Sequence, residues 1–329
     1  MDKVTIFCPG ISTTGGPESL HNLSFNLRKH GLDCKIATTI SSMRFKEYFS
    51  VYEPEYIQID DSFINESFVL LPEVYTHYLS KFKSQKRAVW WLSFINHRNS
   101  LKIKYKIRNY GLKSITTKDA LKRKINILNV YHFMQTNSSK NYLFTNYKFD
   151  KNKILDLESP LHPSYYNLNK KLNLEEENSV VLNSSKLSSE SISFIKEFFE
   201  GNQYKVYILK NKTRQEVKEI LDKSKFFLDL GPHPGQERLP RESILMGCLP
   251  IVSLKGTASN FKDFPLPYHS KINISSKLKI ENLIKAHHIM EEINRGKDYG
   301  HNDYKDHVES QPKRFLLQLK KIISLIKSF

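Results

Sequence analysis

Residues 231–241 pack His233, Glu237, Arg238 and Arg241 among two glycines and three prolines. The segment is too polar for a core and, with its prolines, too rigid for a plain linker, so it reads as a ligand-binding loop. Arg238 and Arg241 carry planar guanidinium forks suited to phosphate oxygens, while Gly231 and Gly235 let backbone approach a ligand closely. A helix opening near Pro240 and covering residues 241–248 would point free N–H groups at an anion. Glu242, in the first turn of that helix, either accepts hydrogen bonds from a ribose diol or simply complements the helix dipole.

The elements around this loop decide where it sits. Apolar runs at 226–230 and 249–253 flank it, giving the order strand, loop, helix, strand. In an open parallel α/β sheet that order puts the loop at the carboxyl edge, where ligands bind. Upstream, strands are expected at 180–182 and 204–209 and helices at 186–199 and 214–223, which completes a βαβαβ unit. Lys186, just after the first of these strands, and Lys210 and Lys212, just after the second, are further cations for the same edge.

The first half repeats the plan. A strand at 4–8 is followed by a loop containing Gly15 and Gly16, a helix over 18–30 stopped by Gly31, and a strand from 35. Glycines before a helix serve either a tight local turn or an anion or sugar hydroxyl beside Glu18. Apolar runs at 67–72, 88–92 and 130–134 each deliver polar residues at their carboxyl ends, with Glu73, Asn96 and His132 as candidates for that edge. Trp90 and Trp91 are expected in the core.

The chain has 329 residues, 39% of them hydrophobic, enough for two domains with separate cores. A formal charge of +17 calls for an acidic partner or surface. The lysine-dense stretches at 102–124 and 313–327 carry no zinc-finger, recognition-helix or aromatic RNA-binding pattern, which favours an anionic membrane surface over nucleic acid. No run of eighteen apolar residues and no signal-peptide pattern occurs, so a cytoplasmic protein is expected, peripheral at most to the membrane. Cys8, Cys34 and Cys248 have neither disulfide-framework nor zinc spacing, and no Asp-any-Asp triplet offers a divalent-metal site. Residues 312–329 form an amphipathic pattern, apolar on one side and lysine-rich on the other.

Several segments together resemble the GT-B glycosyltransferases: TGGPESLHNL from Thr14, VWWLSFIN from Val89, YHFMQTNSS from Tyr131, KNKT from Lys210 and FLDLGPHPGQERLPRESILMGC from Phe227. The pattern is most similar to retaining enzymes of the family 4 type, in particular short ones associated with capsule and surface polysaccharides. The resemblance implies an α/β protein of two Rossmann-like domains facing across a cleft. Residues 1–165 would be the acceptor-side domain, 166–310 the nucleotide-sugar domain, and 311–329 a helix returning to the first domain. It implies sugar transfer from a nucleotide-sugar co-substrate to a glycan or lipid-linked glycan, without metal or other cofactor and without nucleic acid as partner.

Carried over by position, Glu242 matches the second glutamate of the family's pair, which contacts the ribose. The first would fall at Pro234, so His233 or Glu237 stands in near the donor sugar, with Arg238 as the third catalytic candidate. Lys186 matches a basic residue that meets the donor diphosphate, with Lys210, Lys212, Gly235 and Arg241 beside it on the donor side. Gly15, Gly16, Glu18, Asn96 and His132 fall on the acceptor or diphosphate side. Absence of the first glutamate leaves a second possibility, a GT-B-shaped binding or regulatory protein without turnover.

Overall fold

The computed structural model describes residues 2–8, 13–39, 43–82, 86–102, 127, 130–275 and 277–329. Most of the basic stretch 102–124 therefore lies outside the described residues. The chain divides into two compact units, one made of Met1–Pro160 with Pro312–Phe329 and the other of Leu161–Gln311. Tyr165, placed by sequence on the first side of the boundary, is buried in the second unit's core with Leu161, Val181 and Phe227.

The first unit holds seven parallel strands in the order β3-β2-β1-β4-β5-β6-β7. These are β1 (Lys3–Phe7), β2 (Asp33–Ala37), β3 (Tyr56–Ile57), β4 (Phe68–Pro72), β5 (Arg87–Trp91), β6 (Tyr131–Met134) and β7 (Ile154–Asp156). Strands β4 and β5 are almost continuous apolar runs, as expected of strands covered on both faces. Helix α1 (Gly15–Lys29) follows β1; α2 (Met43–Tyr48), α3 (Phe94–Ser100) and α4 (Asn137–Asn146) come later. Trp90 and Trp91 are fully buried on opposite faces of the sheet, their indole N–H groups donating to Leu157 O at 3.0 Å and His132 Nδ1 at 3.1 Å.

The second unit holds β8 (Ser179–Asn183), β9 (Lys205–Leu209), β10 (Phe226–Asp229), β11 (Leu249–Ser253) and β12 (Lys271–Ile272), all parallel, in the order β12-β11-β10-β8-β9. Its helices are α5 (Ser189–Gly201), α6 (Arg214–Asp222), α7 (Arg238–Leu245), α8 (Ile280–Asn294) and α9 (His301–Glu309). In each sheet the winding reverses once, at β1/β4 and at β8/β10. Those reversals open the crevices in which such sheets bind ligands.

The last helix, α10 (Gln311–Lys327), belongs by its packing to the first unit. Phe315, Leu319, Ile322 and Ile326, spaced to share one helix face, are buried in the core beneath β1, β2 and α1. Arg314 fixes the start of the helix with Nε and a terminal nitrogen on the two carboxylate oxygens of Glu158, at 2.8 and 2.9 Å. Such a forked pair sets direction as well as attraction.

Candidate functional site

In the second unit the crevice is built from the ends of β8 and β10. Asp229 closes β10 with a fully buried carboxylate that accepts Asn183 Nδ2 at 2.8 Å and Gly231 N at 3.3 Å. Lys186 follows from the β8 turn, and its stem runs across Gly231. A Cβ at Gly231 would lie 2.5 Å from Lys186 Cβ, so the glycine makes room for the lysine. The ammonium group then spans two acids, Glu237 Oε2 at 2.8 Å and Asp229 Oδ2 at 3.4 Å.

The polar loop is held from the other side by the turn after β11. Gly256 has φ +69°, and a Cβ there would come within 2.1 Å of His233 O. Thr257 donates its N–H to His233 O at 2.8 Å and its hydroxyl to Gly235 O at 2.7 Å. The His233 ring is fully buried, 6.0 Å from the Phe264 ring, and among the described residues neither ring nitrogen has a hydrogen-bond partner. Burial pushes its pKa down, Asp229 and Glu237 oppose that, and Lys186 adds to it, which favours the neutral imidazole.

Helix α7 starts at Arg238, three residues before the sequence expectation, with Glu237 at its N-cap. Pro240 thus occupies the third helical position rather than the opening one, where its missing N–H still breaks no intrahelical bond. Glu242 falls in the second turn instead of the first. It is almost fully buried and pairs with Arg238 Nε at 2.9 Å. The Tyr165 phenol is buried nearby, and that burial, with Glu242 adding, drives its pKa upward.

Arg241 does not serve as a phosphate fork in this arrangement. Its guanidinium is buried on Glu237 O at 3.1 Å, Gln236 O at 2.8 Å and Gln311 Oε1 at 2.7 Å, so it laces the loop to the end of the unit. Lys210 and Lys212 lie exposed beyond the edge strand β9, and Lys212 is committed to Glu216 at 2.9 Å in the capping box of α6. The structure therefore gathers Lys186, Glu237 and His233 about Asp229, ties Gly235 to Thr257, pairs Arg238 with Glu242 within α7, and leaves Lys210 and Lys212 outside these contacts. Asp229, Asn183, Gly256 and Thr257 organise them and escaped sequence reasoning. An aspartate inside the apolar run FFLDL was the available signal, because an acid in a buried strand needs partners.

In the first unit, α1 opens at Gly15 behind the N-cap Thr14. Among the described residues a Cβ at Gly15 would meet nothing within 4 Å, and one at Gly16 would only touch Leu92 Cδ1 at 4.0 Å. Glu18 is buried and accepts Tyr52 OH at 3.1 Å, which ties it to the scaffold. Asn96 is exposed on α3, its N–H donating to the cap Ser93 Oγ at 3.0 Å. His132 is not an edge residue: it is the second residue of β6, fully buried, with its pKa pushed down to about 4 by burial. Glu73, at the end of β4, accepts Leu92 N at 3.0 Å, and burial raises its pKa to about 8 although backbone N–H groups pull the other way.

No family model matches the chain, and no curated protein matches it at the sequence level. Solved structures do match. A glycosyltransferase from Rickettsia africae has TM-score 0.66 and 14% identity over 99% of this chain and 98% of that one. Anabaena HepE in complex with UDP-glucose has TM-score 0.63 and 10% identity, with 100% of both chains covered. Sucrose-phosphate synthase from Thermosynechococcus elongatus has TM-score 0.67 and 8% identity, again over 100% of both. The fold is GT-B. Within it, the Lys186 crevice belongs to the C-terminal domain, the Gly15 loop to the N-terminal domain, and α10 completes the N-terminal domain's core.

Proposed function

We propose that the protein is a retaining, metal-independent glycosyltransferase that moves a sugar from a nucleotide-sugar donor to a glycan acceptor in surface-polysaccharide assembly. The observation carrying this reading is the position of Lys186, at the reversal of the second sheet, with its stem over Gly231. The GT-B neighbours with UDP or UDP-glucose bound support a nucleotide sugar as donor. As the sugar leaves, negative charge grows on the diphosphate. Lys186, Arg238 and the N–H groups opening α7 can stabilise that charge. Glu242 serves the ribose, and His233 and Glu237 stand beside the departing sugar.

The acceptor in this reading is a lipid-linked glycan at the cytoplasmic membrane face. The exposed side of α10 supports it: Lys313, Leu316, Leu317, Lys320, Lys321 and Lys327 lie there, and the helix contains no acidic residue. Among the described residues no helix is long and apolar enough to cross a membrane. Lysines beside an anionic leaflet each contribute about 1 kcal/mol to attraction.

The test is transfer of radiolabelled sugar from a nucleotide-sugar panel to a membrane extract. Lys186→Met should lower turnover by about 100-fold, the usual cost of removing one transition-state donor. Wild-type turnover in that variant would exclude Lys186 from the reaction. A correctly folded wild-type protein that turns over none of the panel would instead fit a non-catalytic role.

A further inference from the structure

Around the crevice the charges cancel. Lys186 lies between Asp229 and Glu237, Arg238 pairs with Glu242, and Arg241 is buried on the backbone carbonyls of Gln236 and Glu237, so the set holds three cations and three carboxylates. A diphosphate brought into this set meets no surplus positive charge unless one acid withdraws. The three acids are not equally able to do so. Asp229 is fully buried and accepts bonds from Asn183, Gly231 and Lys186. Glu242 is 1% exposed on its side chain and locked to Arg238 within one helix. Glu237 is 20% exposed, and among the described residues Lys186 is its only hydrogen-bonding or ion-pairing side-chain partner.

Its position adds to this. Glu237 is the N-cap residue of α7, and its side chain makes no capping bond to the helix. The side chain is turned toward Lys186, and among the described residues no other side chain bonds to it.

We propose that Glu237 is a displaceable counter-ion: it occupies the Lys186 ammonium while the site is empty and yields it to the diphosphate of an arriving nucleotide sugar. Asp229 is the permanent partner that keeps the ammonium in place during the exchange. The displaced carboxylate remains in the loop as an acceptor for sugar hydroxyls. Glu237 then couples donor entry to sugar recognition: free nucleoside diphosphate must break the ion pair without compensation, whereas a nucleotide sugar regains hydrogen bonds from the freed acid. This inference rests on the donor-site reading above.

The experiment is calorimetric titration of wild type, Glu237→Gln and Lys186→Met with UDP, GDP, ADP and dTDP and with their sugar derivatives. Glu237 is partly exposed, so the glutamine variant should fold normally, which a melting curve checks. The expected result is that Glu237→Gln binds the free diphosphate about twofold to fivefold more tightly, the worth of one partly exposed ion pair, while its preference for the sugar derivative over the free diphosphate shrinks. Free-diphosphate affinity that is unchanged or weaker in Glu237→Gln overturns the proposal, even if Lys186→Met abolishes binding and so upholds the donor site. Equal binding by wild type and Lys186→Met, or no binding by any form, overturns both.

Discussion

Replacing Gly256 by alanine tests the scaffold of the crevice, because two independent penalties meet at this one atom. The backbone there has φ +69° and ψ −134°, a combination with no low-energy place for an L side chain. Forcing it costs about 1–3 kcal/mol. The new Cβ would also stand 2.1 Å from His233 O, against backbone that cannot rotate away as a side-chain tip can. Relieving that overlap adds about 1–3 kcal/mol. The sum, about 2–6 kcal/mol, is a large part of the 5–15 kcal/mol that holds a typical domain. Because Thr257 binds His233 O and Gly235 O, the shift passes directly into the polar loop. Urea unfolding followed by tryptophan-independent circular dichroism, with nucleotide titration on the folded fraction, reads both consequences. Gly15→Ala is the companion: among the described residues its Cβ meets nothing within 4 Å, so it should leave the unfolding midpoint unchanged or slightly raised. A Gly256→Ala protein as stable as wild type, with unaltered nucleotide affinity, would refute the reasoning.

Two further substitutions address the individual acids. Glu73 has its pKa raised by burial from 4.5 to about 8, so its contribution to stability is fully present below pH 4.5 and is lost as pH climbs through 8. Glu73→Gln keeps an acceptor for Leu92 N and removes that loss; its melting temperature should rise relative to wild type between pH 5 and pH 8, and a constant difference across that window contradicts the assignment. Glu242→Ala strips a buried partner from Arg238 and should cost about 1–3 kcal/mol, less than a fully buried pair because Arg238 can relax toward solvent. The same variant should bind donor more weakly, and unchanged donor affinity in the folded protein removes Glu242 from the ribose.

The strands were the most legible part of the chain. β8, β10 and β11 are apolar apart from residues at their ends, and β4 and β5 likewise, because a parallel sheet covered on both faces leaves little room for alternation. β3 and β12 have two residues each and escaped notice, since so short an edge strand is defined by its neighbour and not by its own pattern. The crevice was legible as a place more than as a set of roles. Arg238 and Arg241 look equivalent in sequence, but Gln311, 70 residues further on, takes up Arg241. Gly256 carried no local signal because its need for glycine comes from His233 O across the loop. Asp229 and Glu237 gained their meaning only when Lys186 was set between them. In the first domain His132 stands in an apolar run that ends in polar residues, and the strand register, pairing it with Val89 and Ile154, puts it inside.

The central claim is that the Lys186 crevice binds the diphosphate of a nucleotide sugar. The most direct measurement is isothermal titration of the full chain with UDP-, GDP-, ADP-, dTDP- and CMP-sugars, with and without EDTA, for wild type beside Lys186→Met. Wild type is expected to bind one nucleotide class saturably and independently of EDTA, and Lys186→Met is expected to lose that binding. Folded wild type that binds none of them, or a methionine variant that binds as well as wild type, would contradict it.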